Sequence, residues 1–79
     1  MKIRYKRLRA SGRSYSWKCG GHSGSVLQWS VDNPHRGFVR GKWTAWLQDE
    51  RGRATHRATA DRKHLAIAAV LNGPREAVR

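Results

Sequence analysis

The sequence predicts an α+β fold: a small antiparallel β-sheet of three to five strands packed against one C-terminal α-helix. Three observations carry that prediction. Several short stretches alternate apolar and polar residues with a period of two, the signature of half-buried strands. Segments rich in Gly, Asn and Pro separate them, as turns require. One nearly continuous apolar run, Leu65 to Leu71, lies near the C-terminal end, with Thr59 and Asp61 before it and Asn72-Gly73-Pro74 after it as helix start and stop signals.

Each element has its own local reason. Residues 1–18 carry seven positive charges and no negative one, with Ile3, Tyr5 and Leu8 as the only large apolar residues between Met1 and Tyr15. This segment reads as a weak first strand or a basic arm over residues 1–13. Ser11-Gly12-Arg13 is turn material. Tyr15, Trp17 and Cys19 then alternate with Ser14, Ser16 and Lys18, a strand. Gly20 to Gly24, around His22 and Ser23, reads as a loop. Alternation resumes from Val26 to Val31, with Leu27, Trp29 and Val31 on one face. Asp32-Asn33-Pro34-His35-Arg36-Gly37 is a turn, because Pro fixes φ while Asn and Gly tolerate positive φ. Lys42 to Gln48 is a strand with Trp43, Ala45 and Leu47 on one face and Lys42, Thr44, Trp46 and Gln48 on the other. Asp49-Glu50-Arg51-Gly52 is a turn closed by a left-handed glycine. Arg53 to Thr59 returns as the partner strand, with Ala54, His56 and Ala58 opposite Arg53, Thr55 and Arg57.

Thr59 is the expected N-cap of the helix, with Asp61 in its first turn. Asn72-Gly73-Pro74 ends it, and residues 75–79 read as a frayed tail. The helix is expected across the sheet face of Trp43, Ala45, Leu47, Ala54 and Ala58, with Ala68 and Ala69 permitting close approach. The whole chain of 79 residues is expected to be a single small domain.

Composition narrows the function classes. Against 17 Lys+Arg stand 5 Asp+Glu, a formal net charge of +12. A surplus of this size favours polyanions: DNA, RNA or an acidic protein. The 12 arginines and 5 lysines favour arginine, whose planar fork suits phosphates and guanine edges. Four Trp, two Tyr and one Phe argue against a disordered basic tail. No apolar run approaches the roughly 20 residues a membrane span needs. The charged start, Met1 to Arg7, has no apolar stretch of signal-peptide type. With the lone Cys19, it implies a cytoplasmic protein without disulfides. No nucleotide fingerprint or hydrolytic triad is legible, and no cofactor is expected.

The polar face of the predicted hairpin carries Lys42, Thr44, Trp46, Gln48, Arg53, Thr55 and Arg57. Such side chains read base edges and phosphates from a sheet in a major groove, and an exposed Trp46 can stack an unpaired base. The ordinary alternative is a solvated sheet face with Trp46 packed under a neighbouring segment. Arg4, Lys6, Arg7, Arg9 and Arg13 add a second set of phosphate contacts, or else a charged edge that prevents sheet-to-sheet association. An unpaired edge strand leaves a dimer open.

The run from Gly41 through Trp43, Trp46, Asp49, Glu50 and Gly52 to Arg53, then His56-Arg57-Ala58-Thr59, Asp61-Arg62-Lys63 and the Ala-rich helix, resembles the N-terminal arm-site DNA-binding domain of tyrosine-recombinase integrases. The likeness covers residues 41–73. It implies a three-stranded antiparallel sheet inserted in a major groove, backed by one helix. Its readers would be Lys42, Thr44, Trp46, Arg53, Thr55 and Arg57. No recombinase catalytic domain follows, so the resemblance implies the binding module alone: an accessory or regulatory DNA-binding protein of a phage or other mobile element.

Other readings stay beside it. The chain could bind RNA, or could be a phage-encoded module or inhibitor whose Trp residues anchor it to an acidic host protein. Cys19-Gly20-Gly21-His22 has the spacing of half a zinc site, but no second ligand pair accompanies it, so no metal is expected. His22 in a Gly/Ser loop is the one residue on which ribonuclease activity could be hung. No partner acid or base is legible for it, and the chain reads as non-enzymatic.

Overall fold

The computed structural model describes residues 2–8, 13–33 and 37–78, with side chains described outside 30–40. Arg9, the Ser11-Gly12 part of the first turn, and Pro34 to Arg36 of the second lie outside the described residues.

The described residues form a six-stranded antiparallel sheet in simple meander order, β1 to β6, with one helix. The strands are β1 (Arg4–Arg7), β2 (Ser14–Cys19), β3 (His22–Asn33), β4 (Gly37–Gln48), β5 (Ala54–Ala60) and β6 (Glu76–Ala77); α1 (Lys63–Asn72) stands between the last two. Sheet plus single helix is as the sequence predicts; the strand number exceeds the expected three to five.

The extra strands come from both ends. Arg4–Arg7 pairs with β2, Arg4 opposite Lys18 and Lys6 opposite Ser16, so this part of the basic segment is an edge strand. The tail expected to fray instead pairs with β5, placing Ala77 opposite His56 and Glu76 opposite Arg57. The Val78 N–H donates to the Thr55 carbonyl at 2.9 Å. Propensity gave no hint of β6, because a two-residue strand depends wholly on its partner.

The expected Gly20–Gly24 loop shrinks to Gly20 and Gly21. Their φ values of 54° and 84° are both positive, as a two-residue hairpin turn of type I′ requires. Cys19 and His22 face each other across it, and His22, Ser23 and Gly24 are already strand. The Asp49 turn forms as predicted. Asp49 Oδ1 accepts from the Arg51 and Arg53 N–H groups at 2.9 and 3.0 Å, and Gly52 takes φ 80°.

The helix starts later than expected. Thr59 is not its N-cap: β5 continues to Ala60, and the capping position falls to Arg62, which makes no side-chain cap bond. Asp61 consequently precedes the first turn, which contains no acidic residue. At the other end the helix stops at Asn72 as expected, and the Gly73 N–H, at φ −107°, donates to the Ala69 carbonyl at 2.8 Å.

The core lies on one face of the sheet, under α1, which crosses β4 and β5 and reaches β3. Trp17, Val26, Ala45 and Ala58 from the strands meet Ala66, Ile67 and Val70 from the helix. Ala66, rather than Ala68 or Ala69, is the fully buried small residue of the helix. Full burial of side chains such as Val26 and Ile67 contributes about 1.5–3 kcal/mol each. Trp43 and Leu47 pack around this centre as partly buried residues, while Ala54 stays outside it. Leu65 remains 46% exposed, so the apolar helix is not covered on every side.

At the start of α1, the Lys63 ammonium sits 4.1 Å from the Tyr5 ring centre, 4.2 Å from Tyr15 and 5.8 Å from Trp43. These rings belong to β1, β2 and β4. Partial burial, and secondarily the nearby Cys19, holds the Tyr5 phenol above its ordinary pKa of 10.0.

Candidate nucleic-acid interface

The alternation of side chains sends one set of residues into the helix-covered core and the other onto an open face. Register orders that open face into rows. One runs Lys6, Ser16, Ser25, Trp46, Arg57, Glu76 across all six strands. A second holds Arg4, Lys18, Ser23 and Gln48. A third holds Ser14, Leu27, Thr44 and Thr59. The predicted face assignment of the β4–β5 hairpin holds for Thr44, Trp46 and Arg57 against Ala45 and Ala58, but the register shift between Leu47 and Gln48 sets Ala54, expected on the core side with His56 and Ala58, opposite Gln48.

Sharing a face is not the same as being available on it. Thr44 is only 5% exposed. Its Oγ1 accepts the Trp29 indole N–H at 2.8 Å and lies 2.9 Å from Thr59 Oγ1. It works as a buried hydrogen-bond junction, not as a free reader. The Thr55 hydroxyl is engaged likewise: it donates to the Leu47 carbonyl at 3.3 Å and sits 3.2 Å from His56 Nδ1, beside the irregularity between Leu47 and Gln48. Trp46 is half-buried rather than exposed, and so is Gln48. Lys42 and Arg53 are exposed. Arg57 is exposed and pairs with Glu76 at 3.3 Å, a surface ion pair worth little in stability.

Pairing of β1 divides the cations of the basic segment. Arg4 and Lys6 share the open face with Lys18, whereas Arg7, opposite Tyr15, belongs to the helix side. Arg13 is half-buried, and its carbonyl accepts the Gln28 N–H at 2.9 Å. Arg4 directly opposite Lys18 is a like-charge cross-strand pair, which costs stability unless an anion lies between them.

Sequence reasoning missed Trp29. It is 51% exposed, the largest exposed aromatic among the described residues. Its alternation with Leu27 was legible, but its position over Thr44 follows from β3–β4 register, including the shift between Gln28 and Ser30. The serines of the open face, Ser14, Ser16, Ser23 and Ser25, were equally silent without that register.

His22 does not sit in a loop. It opens β3 and lines a shallow, open cleft of about 500 Å³ with Ser23, Gln48, Asp49, Glu50 and Arg51. Among the described residues no hydrogen bond joins His22 to those acids or to Arg51, and the Asp49 carboxylate is engaged in shaping the turn. Cys19 and His22 flank the two-glycine turn, and no group of three or more potential metal-ligating side chains occurs among the described residues. No described helix is long and apolar enough to cross a membrane.

Comparison of the chain with protein-family models, curated proteins and solved structures gave no match.

Proposed function

We propose that the chain is a small, non-enzymatic, basic nucleic-acid-binding module that engages its ligand with the open sheet face and the adjoining edge strand β1. One observation carries this reading. The open face carries Arg4, Lys6, Lys18 and Arg57 in its rows with Trp46, and the exposed Trp29 and Lys42 on β3 and β4, while Glu76 at its far edge is the only acid in those rows among the described residues. An anionic polymer neutralises those cations together; the facing Arg4 and Lys18 gain most, because they repel each other when nothing lies between them.

The likeness of residues 41–73 to integrase arm-site domains supports DNA as the polymer, and an accessory or regulatory role in a phage or other mobile element. In that reading Lys42, Arg53 and Arg57 contribute the charged contacts, while Thr44 and Thr55 serve the sheet. The cytoplasm is the compartment that fits such a ligand.

Two adjacent residues supply the test. Lys6 and Arg7 differ by one position and lie on opposite faces of β1. Lys6→Ala is expected to weaken binding to an oligonucleotide severalfold at about 0.1 M salt, and Arg7→Ala much less, measured by fluorescence anisotropy. Wild-type affinity should fall steeply as salt rises. Equal losses in both variants would remove the face assignment. Absence of binding to duplex DNA, single strands and structured RNA at micromolar protein would turn attention to an acidic protein partner.

A further inference from the structure

Trp29 is an aromatic side chain left half open on a face whose rows hold cations, serines and threonines together with Leu27, Trp46, Gln48 and Glu76. Single exposed hydrophobic residues are ordinary, so exposure alone assigns Trp29 nothing. Here the indole is held rather than loose. Its Nε1–H is spent on Thr44 Oγ1, and Thr44 is itself tied to Thr59 on the next strand. A donor pointed down at β4 places the indole across the open face. Its one polar atom is satisfied within the protein, and about half its surface, 51%, stays exposed. What remains available is ring area with no hydrogen-bonding demand of its own. A major-groove base edge offers donors and acceptors, which that surface cannot meet. An unpaired base offers a flat π-face, which it can.

We propose that Trp29 is a stacking platform for an unpaired base, so that the preferred ligand of the open face is a single-stranded polynucleotide. The proposal rests on the nucleic-acid reading and names the substrate class of the same site. Charge complementarity supports this occupant. Lys42 is exposed on β4, Lys6 lies in the row of Ser25 and Arg4 and Lys18 in the row of Ser23, four and six residues along β3 from Trp29. A flexible strand can bring its phosphates to these scattered cations while one base lies on the indole. Sequence-tolerant stacking of this kind needs no side chain that reads base edges, which agrees with the engagement of Thr44 and Thr55 inside the sheet.

Four probes of equal length test it by anisotropy at one salt concentration: oligo-dT, oligo-rU, the corresponding DNA duplex, and a strand of abasic deoxyribose phosphates. The proposal expects both single strands to bind more tightly than the duplex, and the abasic strand to bind about tenfold or more weakly than oligo-dT despite equal charge. Trp29→Ala should lose a similar factor on oligo-dT, with little change on the abasic strand or the duplex. Trp29→Phe, which keeps a ring without the N–H to Thr44, should retain most of the affinity; circular dichroism of both variants establishes that they fold. Comparison of dT with rU tells whether the sugar matters.

Duplex binding equal to or tighter than single strands, or abasic and oligo-dT binding alike, would overturn stacking while leaving the polyanion reading intact. Failure of all four probes, and of a structured RNA beside them, to bind would sink the nucleic-acid reading itself.

Discussion

Gly24 sets how closely the Trp17 indole can approach β3. A side chain there would run into the Trp46 carbonyl oxygen and come within 2.9 Å of Trp17 Cζ2. Trp17 is only 1% exposed and donates its Nε1–H to the Ser25 carbonyl at 3.0 Å, so it has no room to retreat. Two effects therefore compete in Gly24→Ala. Loss of unfolded-state freedom favours the variant by about 0.4–1 kcal/mol. Collision with backbone and a fixed ring costs about 1–3 kcal/mol or more. Collision wins, and the melting temperature should fall by several degrees, at about 4–8 °C per kcal/mol for a domain of this size. A thermal melt of Gly24→Ala that matches or exceeds wild type would contradict this packing. Gly24 also marks a limit of sequence reading. Its glycine was visible and suggested a loop; the reason for it is a ring seven residues away in the chain, brought opposite by the Trp17–Gly24 pairing. Thr44 is similar: its face followed from period-two alternation, but its burial depends on Trp29 and Thr59 from two other strands.

At the level of elements, what was legible was what local patterning encodes. The β4–β5 hairpin has clean alternation and an Asp-to-Gly turn, and the structure reproduces both strands and the turn, with the faces kept as far as the Leu47–His56 pair, beyond which a register shift sets Ala54 opposite Gln48. The helix was legible from its apolar run and its Asn72-Gly73-Pro74 end, but its start was not. Thr59 has the chemistry of a cap and is drawn into β5 by the neighbouring Thr44 hydroxyl. That displacement leaves α1 with no acid in its first turn and a cation, Lys63, near its positive end. A cation there costs about 0.3–1 kcal/mol against the helix dipole. The rings of Tyr5, Tyr15 and Trp43 offset it: cation–π attraction contributes about 0.5–2 kcal/mol, toward the upper end where the ammonium is partly shielded from water. Since Tyr5 lies on β1, Lys63 also ties the edge strand to the helix. Lys63→Met, which keeps an apolar stem, should lower stability by about 1 kcal/mol and speed amide hydrogen exchange in β1 more than in β4. Lys63→Arg should restore most of the protection. Unchanged exchange in β1 for Lys63→Met would show that the rings, not the cation, hold the strand.

For the whole molecule, the net charge of +12 acts on stability and on binding with opposite signs. Without a ligand, like charges repel, most directly at Arg4 and Lys18, which face each other across β1 and β2. Salt shortens the Debye length from about 30 Å at 0.01 M to about 10 Å at 0.1 M, so it relieves this repulsion. The same screening weakens attraction to a polyanion and opposes counterion release. The melting temperature of the free protein should therefore rise between 0.01 and 0.2 M NaCl, while oligonucleotide affinity falls over the same range. General salting-out could mimic the first trend, and Lys18→Glu separates the two. It turns the repelling pair into an attracting one worth about 0.2–1 kcal/mol and lowers the net charge by two. At low salt the variant should melt higher than wild type, show a flatter rise with NaCl, and bind oligonucleotide severalfold more weakly. If Lys18→Glu melts lower at 0.01 M salt, repulsion on the open face is not what limits stability. If it melts higher yet binds as well as wild type, the ligand does not cross the Arg4–Lys18 row. The predicted combination, stability gained and binding lost through one side chain, is what a surface arranged for an absent anion should show.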